Sequence, residues 1–254
     1  MIDSSASVLE LTIGTHDFTI KQSPGILQST REGGTTGAAV WCLSPLLASW
    51  MSSPKNLLFE NRLLDQFSSV LELGSGIAGL VPLMLCSKVH RYVATDQRYA
   101  LKLLQENIDE NLKVVTGSSS LGKPKSRKEA HHATAPEVYA LDWESDDIGS
   151  FLSVNRLKNG VDLVFASDCV YNYALIEPFV ETCVEVCRKR SLSDKPTICL
   201  VAQQLRQPDV MEEFLTVFLR YFDIYRLSDE EVGAELKPAS GFAIHIGVLR
   251  KGAD

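Results

Sequence analysis

The stretch Leu71–Leu80, LELGSGIAGL, ends an apolar run in a glycine-spaced turn. Gly74, Gly76 and Gly79 fall into the G-x-G-x-x-G spacing of nucleotide-binding βα units. Glycines there let the chain turn sharply after a strand and let a ligand lie against bare backbone. Two ligand chemistries use such a turn. A dinucleotide sets its pyrophosphate on the N-terminus of the following helix, whereas S-adenosylmethionine (SAM) packs its amino-acid end against the glycine backbone. The turn alone does not choose between them.

Around it, short apolar runs alternate with helical patterns, the sequence form of βαβ units. Strands are predicted at Val70–Leu73, Arg91–Thr95, Val138–Leu141, Asp162–Ala166 and Thr197–Ala202. Helices are predicted at Ala78–Ser87, Tyr99–Asn111, Leu175–Arg190 and Pro208–Tyr221. YFDIYRLS and GFAIHIGVLR add two strands joined by an acidic loop. The expected fold is α/β: a seven-stranded, mostly parallel twisted sheet with an antiparallel terminal pair and helices on both faces. Upstream, VLELTIGTHDFTIK (8–21) alternates apolar and polar residues about Gly14–Asp17 and predicts a small N-terminal β-hairpin. A Gly/Thr-rich link then feeds a helix over Ser44–Met51. One domain is expected, with the hairpin and helices in 1–69 and the seven-stranded core in 70–254.

Residues 116–136, TGSSSLGKPKSRKEAHHATAP, interrupt this rhythm with small, polar and basic residues that have too little apolar area to order themselves. They read as a flexible surface insertion whose cations, Lys123, Lys125, Arg127 and Lys128, are solvated. His131 and His132 have no further ligands nearby, so no metal site is expected.

The chain's 254 residues, 45% of them hydrophobic, suffice for one sizeable core. A net charge of −7 provides no basic field to hold phosphate backbones. Direct nucleic-acid binding is therefore not expected, and a basic protein or a small molecule is favoured. Six cysteines lie scattered in apolar segments without a C-x-x-C pair, as suits reduced thiols. Neither a leader pattern nor an apolar stretch of membrane-spanning length is present, so no membrane contact is expected and the cytoplasm, with the nucleus as alternative, is the expected location.

Asp96 closes the strand YVATD twenty residues after Gly76. A carboxylate there can accept both ribose hydroxyls of an adenosine lying across the strand ends, in NAD and SAM alike. Discrimination comes from Glu72 at the end of the first strand, from the seventy residues before that strand, and from the lack of a second mononucleotide-binding half. All favour SAM. LDWES puts Asp142 and Trp143 at the end of the third strand, where an acid can receive an adenine amino group and an indole can cover a ring face; Trp143 also reads as an ordinary core residue. DLVFASDCVY releases Ser167, Asp168 and Tyr171 at the carboxyl end of a buried strand, the edge at which open α/β sheets hold ligands. A carboxylate in that apolar run carries a desolvation cost, which asks for a function at Asp168 unless it caps the following helix.

With Val40-Trp41, LELGSGIAG, YVATD, LDW and DCVY together, the chain resembles the seven-stranded, SAM-dependent protein lysine methyltransferases of the D-x-x-Y family, from near Phe18 to near Val248. The resemblance implies a Rossmann-like methyltransferase fold. It also implies a SAM site lined by Trp41, Gly74, Ser75, Gly76, Asp96, Trp143 and Ser167, with Asp168 and Tyr171 as catalytic residues at the mouth of a lysine channel. TGAAVWCLSPLLASW, YVATDQRYALKLLQENI and LDWE are most similar to the fungal group that methylates a large-subunit ribosomal protein. Related members modify chaperones and elongation factors on the same scaffold, because fold does not set substrate. The implied protein is a monomeric enzyme whose partner is a protein with an exposed lysine, a ribosomal one by this resemblance. A small-molecule SAM methyltransferase is the alternative on the same fold. Two departures stand out: the 116–136 insertion, and Ser167, where a small alanine or glycine often precedes the D-x-x-Y aspartate.

Overall fold

The computed structural model describes residues 1–27, 36–117, 134–190 and 195–252. The cations and the histidine pair of the predicted 116–136 insertion lie outside the described residues.

Strands β1 (Val8–Ile13) and β2 (His16–Lys21) form the predicted hairpin, followed by the short α1 (Pro24–Leu27), α2 (Leu43–Ser52) and α3 (Leu57–Glu60). The remainder alternates as predicted, apart from the added helix α6: β3 (Ser69–Leu73), α4 (Leu80–Leu85), β4 (Arg91–Asp96), α5 (Arg98–Thr116), β5 (Glu137–Ala140), α6 (Ile148–Val154), β6 (Leu163–Ser167), α7 (Tyr173–Arg188), β7 (Ile198–Gln204) and α8 (Pro208–Tyr221). It ends in β8 (Phe222–Arg226), α9 (Asp229–Val232) and β9 (Phe242–Leu249). The seven-stranded sheet has the order β5-β4-β3-β6-β7-β9-β8; β3 to β7 run parallel, and β9 is antiparallel to both of its neighbours.

Side chains alternate between the two faces of the sheet, as a period of two demands. Val70, Tyr92, Phe165 and Leu200 join one buried cluster with α2, α4, α5 and the hairpin. Leu71, Val93, Val164 and Cys199 join another with α6, α7 and α8. Both faces are thus covered, the condition under which parallel strands are stable.

Local chemistry explains where the element ends depart from the sequence pattern. Gly79, with φ 64°, caps α4 in the left-handed region, so this helix starts after the predicted Ala78 and keeps only six residues. Asn172 caps α7 by accepting the N–H of Ala174, which starts that helix two residues before the predicted Leu175. The unpredicted α6 begins at Asp147, whose side chain accepts the N–H of Ser150. In the acidic loop before β9, Ser228 and Glu231 form a reciprocal capping box that starts α9.

The hairpin is tied to the core through two buried asparagines one turn apart on α5. Asn111 exchanges hydrogen bonds with both backbone groups of Thr19, and Asn107 does the same with Lys21, all at 2.9–3.0 Å. Their amides thus act as a surrogate strand edge for β2. Asn107 Nδ2 also donates to the carbonyl of Ile77 at 2.7 Å, linking the hairpin to the glycine turn.

Candidate functional site

Sheet register brings the predicted residues abreast. Leu73 stands opposite Thr95 on β4 and Ala166 on β6, Asp96 opposite Ala140, and Ser167 opposite Ala202. Gly74, Asp96, Asp142, Ser167 and Asp168 therefore emerge at or just beyond the same carboxyl edge. This edge lies where the connections reverse direction about β3, the usual ligand crevice of open α/β sheets.

Gly74 and Gly76 both adopt positive φ, 69° and 62°. A Cβ built on Gly74 would lie 2.7 Å from Cys169 Sγ and 3.3 Å from the Trp143 ring, so only glycine fits there. The turn is held from the neighbouring strand: Ser75 N–H donates to the carbonyl of Thr95 at 2.9 Å, and Gly76 N–H donates to Asp96 Oδ2 at 2.7 Å. Asp96 Oδ1 accepts the N–H of Gln97 at 2.7 Å. Burial nonetheless pushes the Asp96 carboxyl up to about 6. Glu72, beneath the turn, is buried and accepts from the Tyr92 hydroxyl at 3.0 Å; desolvation pushes it up to about 7.

The cleft over this turn is walled by Glu72, Asp96, Asp142, Glu144 and Asp168, and no lysine or arginine lines it among the described residues. Trp143 forms one wall, its ring tilted against Phe179 at a centroid distance of 5.2 Å. Trp41 also lines the cleft, its indole N–H donating to the carbonyl of Thr36 at 3.0 Å. A second pocket adjoins the cleft and shares Thr36, Trp41, Asp168 and Tyr171 with it, adding Arg206 and Gln207.

Asp168 does not cap the following helix; Asn172 does. The desolvation cost of Asp168 is therefore not explained by capping. Its backbone sits at φ 57°, a left-handed conformation that aspartate tolerates better than most residues. Its Oδ1 accepts from Gln203 Nε2 at 3.1 Å and from Gln204 N–H at 3.3 Å, and pairs with Arg206 at 2.8 Å. Burial holds the carboxyl above its usual range, outweighing the guanidinium. Gln203 also braces the segment that follows, donating to the carbonyl of Val170 at 2.6 Å and accepting its N–H at 3.3 Å.

Buried polar atoms normally find partners. Among the described residues, four buried side-chain atoms lack one: Ser75 Oγ, Ser167 Oγ and Asp168 Oδ2, whose residues line the cleft, and His245 Nδ1 on β9, which does not. A polar ligand is the natural complement of such a wall. The acids and the absence of a cation suit a positively charged ligand and oppose a pyrophosphate. The six-residue α4 also leaves little helix dipole to offset phosphate charge.

All nine residues singled out in the sequence line this cleft. The sequence reading gave no site role to Thr36, Gly37, Gln97, Tyr99 or Arg206, which line the same cleft or its side pocket. Gly37 N–H donates to the Tyr99 hydroxyl at 3.1 Å and lies across the glycine turn. Arg206 carried a usable signal: it follows an apolar strand at its carboxyl end, the logic that selected Asp168.

A family model described as lysine methyltransferase matches residues 21–220. A Ribosomal lysine N-methyltransferase 5 of Vanderwaltozyma polyspora is 30% identical over an alignment covering 97% of this chain and 89% of that protein. The protein of the same name from Zygosaccharomyces rouxii is 31% identical, with 79% of this chain and 70% of that one covered. A Schizosaccharomyces pombe protein named diaminohydroxyphosphoribosylamino-pyrimidine deaminase is 31% identical over 91% of this chain, which spans about half (49%) of that relative's length.

Proposed function

Since the chain belongs to the lysine methyltransferase family, we propose that it transfers the methyl group of SAM to a lysine side chain of a ribosomal protein. The observation that carries this reading is the acidic, cation-free cleft over the glycine turn, continuous with a side pocket through Trp41, Asp168 and Tyr171. A sulfonium compound bearing a protonated amine fits the first, and an alkylammonium fits the Asp168 end of the second once the Arg206 guanidinium paired there gives way. The ribosomal substrate rests on the names of the relatives and on the chain's acidic balance, which favours a basic partner.

Gly74, Ser75 and Gly76 would cradle the amino-acid end, with the Ser75 hydroxyl available to it. Asp96, which holds Gly76 and Gln97, would accept the ribose hydroxyls with its remaining lone pairs. Trp143 would cover the adenine, and Ser167 and Trp41 would close the site around the transferable group. When bound, SAM supplies an electrophilic methyl on a sulfonium.

Everything else falls to the chain, and its task is to present a neutral amine. A free lysine with pKa near 10.4 is neutral in only about one molecule in 2,500 at pH 7. Asp168 receives the incoming ammonium by a charge-assisted hydrogen bond, and Tyr171 with Trp41 excludes water around it. Desolvation there favours loss of the proton against the carboxylate's own pull toward the charged form; the proton leaves to solvent at the pocket mouth, and the carboxylate then keeps the neutral nitrogen aligned by accepting one of its N–H bonds.

Incubating the protein with methyl-labelled SAM and, in parallel, separated large-subunit ribosomal proteins and whole-cell lysates, then mapping the label by mass spectrometry, tests the reading. Methyl groups on a lysine of one ribosomal protein are the expected result. Label confined to non-ribosomal proteins overturns the substrate, and no lysine label from any lysate overturns the activity.

A further inference from the structure

The side pocket already holds a cation that belongs to the chain. A terminal nitrogen of Arg206 lies 2.8 Å from Asp168 Oδ1, and its guanidinium carbon stands 4.5 Å from the centroid of the Trp41 ring. A carboxylate on one side and an indole face on the other are what a lysine ammonium would meet on reaching Asp168. The two partners differ in exposure. The Asp168 side chain is 2% exposed and fixed by Gln203 and Gln204, whereas that of Arg206 is 33% exposed. The backbone beneath Arg206 is pinned, with Leu205 N–H donating to the carbonyl of Gly241 at 2.8 Å, so a rotation of the side chain is enough to vacate the position.

We propose that Arg206 is a specificity-determining residue that fills the acceptor seat between Trp41 and Asp168, and that only a cationic side chain can displace it. The proposal rests on Asp168 and Trp41 forming the acceptor end of the site. Its physical basis is the cost of an uncompensated buried charge. Removing the partner of a buried carboxylate is strongly unfavourable. A neutral side chain entering the pocket would leave Asp168 bare and is rejected. A lysine replaces one cation by another, so the expulsion of Arg206 is offset as it occurs, while two cations in one seat repel. Discrimination by charge is thereby added to discrimination by channel shape. Asp168 Oδ2, buried and without a partner while Arg206 is seated, remains as a second acceptor for the newcomer.

The test uses n-butylammonium, the lysine side chain without its backbone, titrated calorimetrically into the SAM-loaded protein at pH 8. Arg206→Gln should bind it at least tenfold more tightly than the wild type, and the gain should vanish in Arg206→Gln combined with Asp168→Asn. Arg206→Lys keeps a cation in the seat and should bind it no better than the wild type, which controls for general damage to the loop. Neutral n-butanol should gain nothing in any variant. The KM for the protein substrate should fall in Arg206→Gln. Equal n-butylammonium affinity in the wild type and Arg206→Gln, or a gain that survives loss of Asp168, overturns the proposal. A fall in kcat without gain in amine binding also overturns it, because Arg206 would then be a permanent support for Asp168. Failure of the underlying function looks different: the Asp168-dependent gain would stand while the wild type methylated no lysine.

Discussion

Asp96 Oδ2 accepts the backbone N–H of Gly76 at 2.7 Å, so the carboxylate closing one strand fixes the glycine turn at the end of its neighbour. Its other oxygen takes the N–H of Gln97 at the same distance. An amide cannot accept at both positions, because its –NH2 group would face one of these donors. Asp96→Asn should therefore lower the melting temperature as well as the affinity for SAM. Charge-assisted hydrogen bonds of this kind contribute about 1.5–3 kcal/mol, so the loss should be about tenfold to a hundredfold. Calorimetric titration and thermal denaturation of one sample check both effects; SAM affinity within twofold of wild type would remove Asp96 from the site.

The buried acids give the protein two opposed responses to pH. Glu72, pushed up to about 7 by burial, binds its proton more tightly when folded than when unfolded. Its contribution to stability is thus full below the ordinary carboxylate value and is lost as the pH rises toward 7. Raising the value from 4.5 to about 7 corresponds to about 3 kcal/mol of lost stability. Glu72→Gln keeps an acceptor for Tyr92 and should flatten this slope, making the variant more stable than wild type at pH 8 but not at pH 4.5. Asp96, pushed up to about 6, acts oppositely on the ligand. In the proposed site its ionised form accepts the ribose hydroxyls, so SAM affinity should fall as the pH drops below 6. Denaturant titrations and calorimetry between pH 4.5 and 8 separate the two.

Asn107 joins three parts of the chain that are distant in sequence: β2 through Lys21, the glycine turn through Ile77, and α5 on which it sits. Replacing it by leucine removes both donor and acceptor while filling similar volume, leaving the Lys21 backbone and the Ile77 carbonyl without their partner. Each buried group so stranded costs about 1–3 kcal/mol. Asn107→Leu should lose several kcal/mol in denaturant unfolding and bind SAM more weakly, although no part of this side chain lines the cleft. Unchanged SAM affinity in a destabilised variant would show that the hairpin and the turn are uncoupled.

The sheet was readable because its strands are buried on both faces and stand out as uninterrupted apolar runs, and because the G-x-G-x-x-G turn marks which run comes first. Position at a strand's carboxyl end then selected Asp96, Ser167 and Asp168 without any knowledge of strand order. What depended on strand order was not readable. Arg206 meets Asp168 because β6 lies beside β7 with Ser167 opposite Ala202, a pairing that no local pattern encodes. Helix α6 was missed because it is short, with Ile148 and Leu152 as its buried residues, and so shows little periodicity. The role of Asn107 was hidden for the same reason as that of Arg206: its partner strand lies 86 residues away.

In the proposed mechanism the D-x-x-Y aspartate, Asp168, acts on transfer and not on SAM binding. Asparagine adopts the left-handed backbone that Asp168 occupies at φ 57°, so Asp168→Asn should keep the fold and the path of the chain. The amide oxygen can still accept from Gln203 Nε2 or the Gln204 N–H, but the charge that holds a cation is gone. Losing the Arg206 pair is offset by relief of the burial that holds this carboxyl above its usual range, so the variant should stay near wild-type stability at neutral pH. SAM affinity should stay within a few fold, because the contacts of Gly74, Gly76 and Asp96 are untouched. Turnover should fall by on the order of a hundredfold or more, the scale on which a misplaced reacting group is felt. Melting temperature, SAM affinity and methyl transfer measured on one preparation decide the matter, and a stable variant with wild-type turnover would leave Asp168 without a catalytic role.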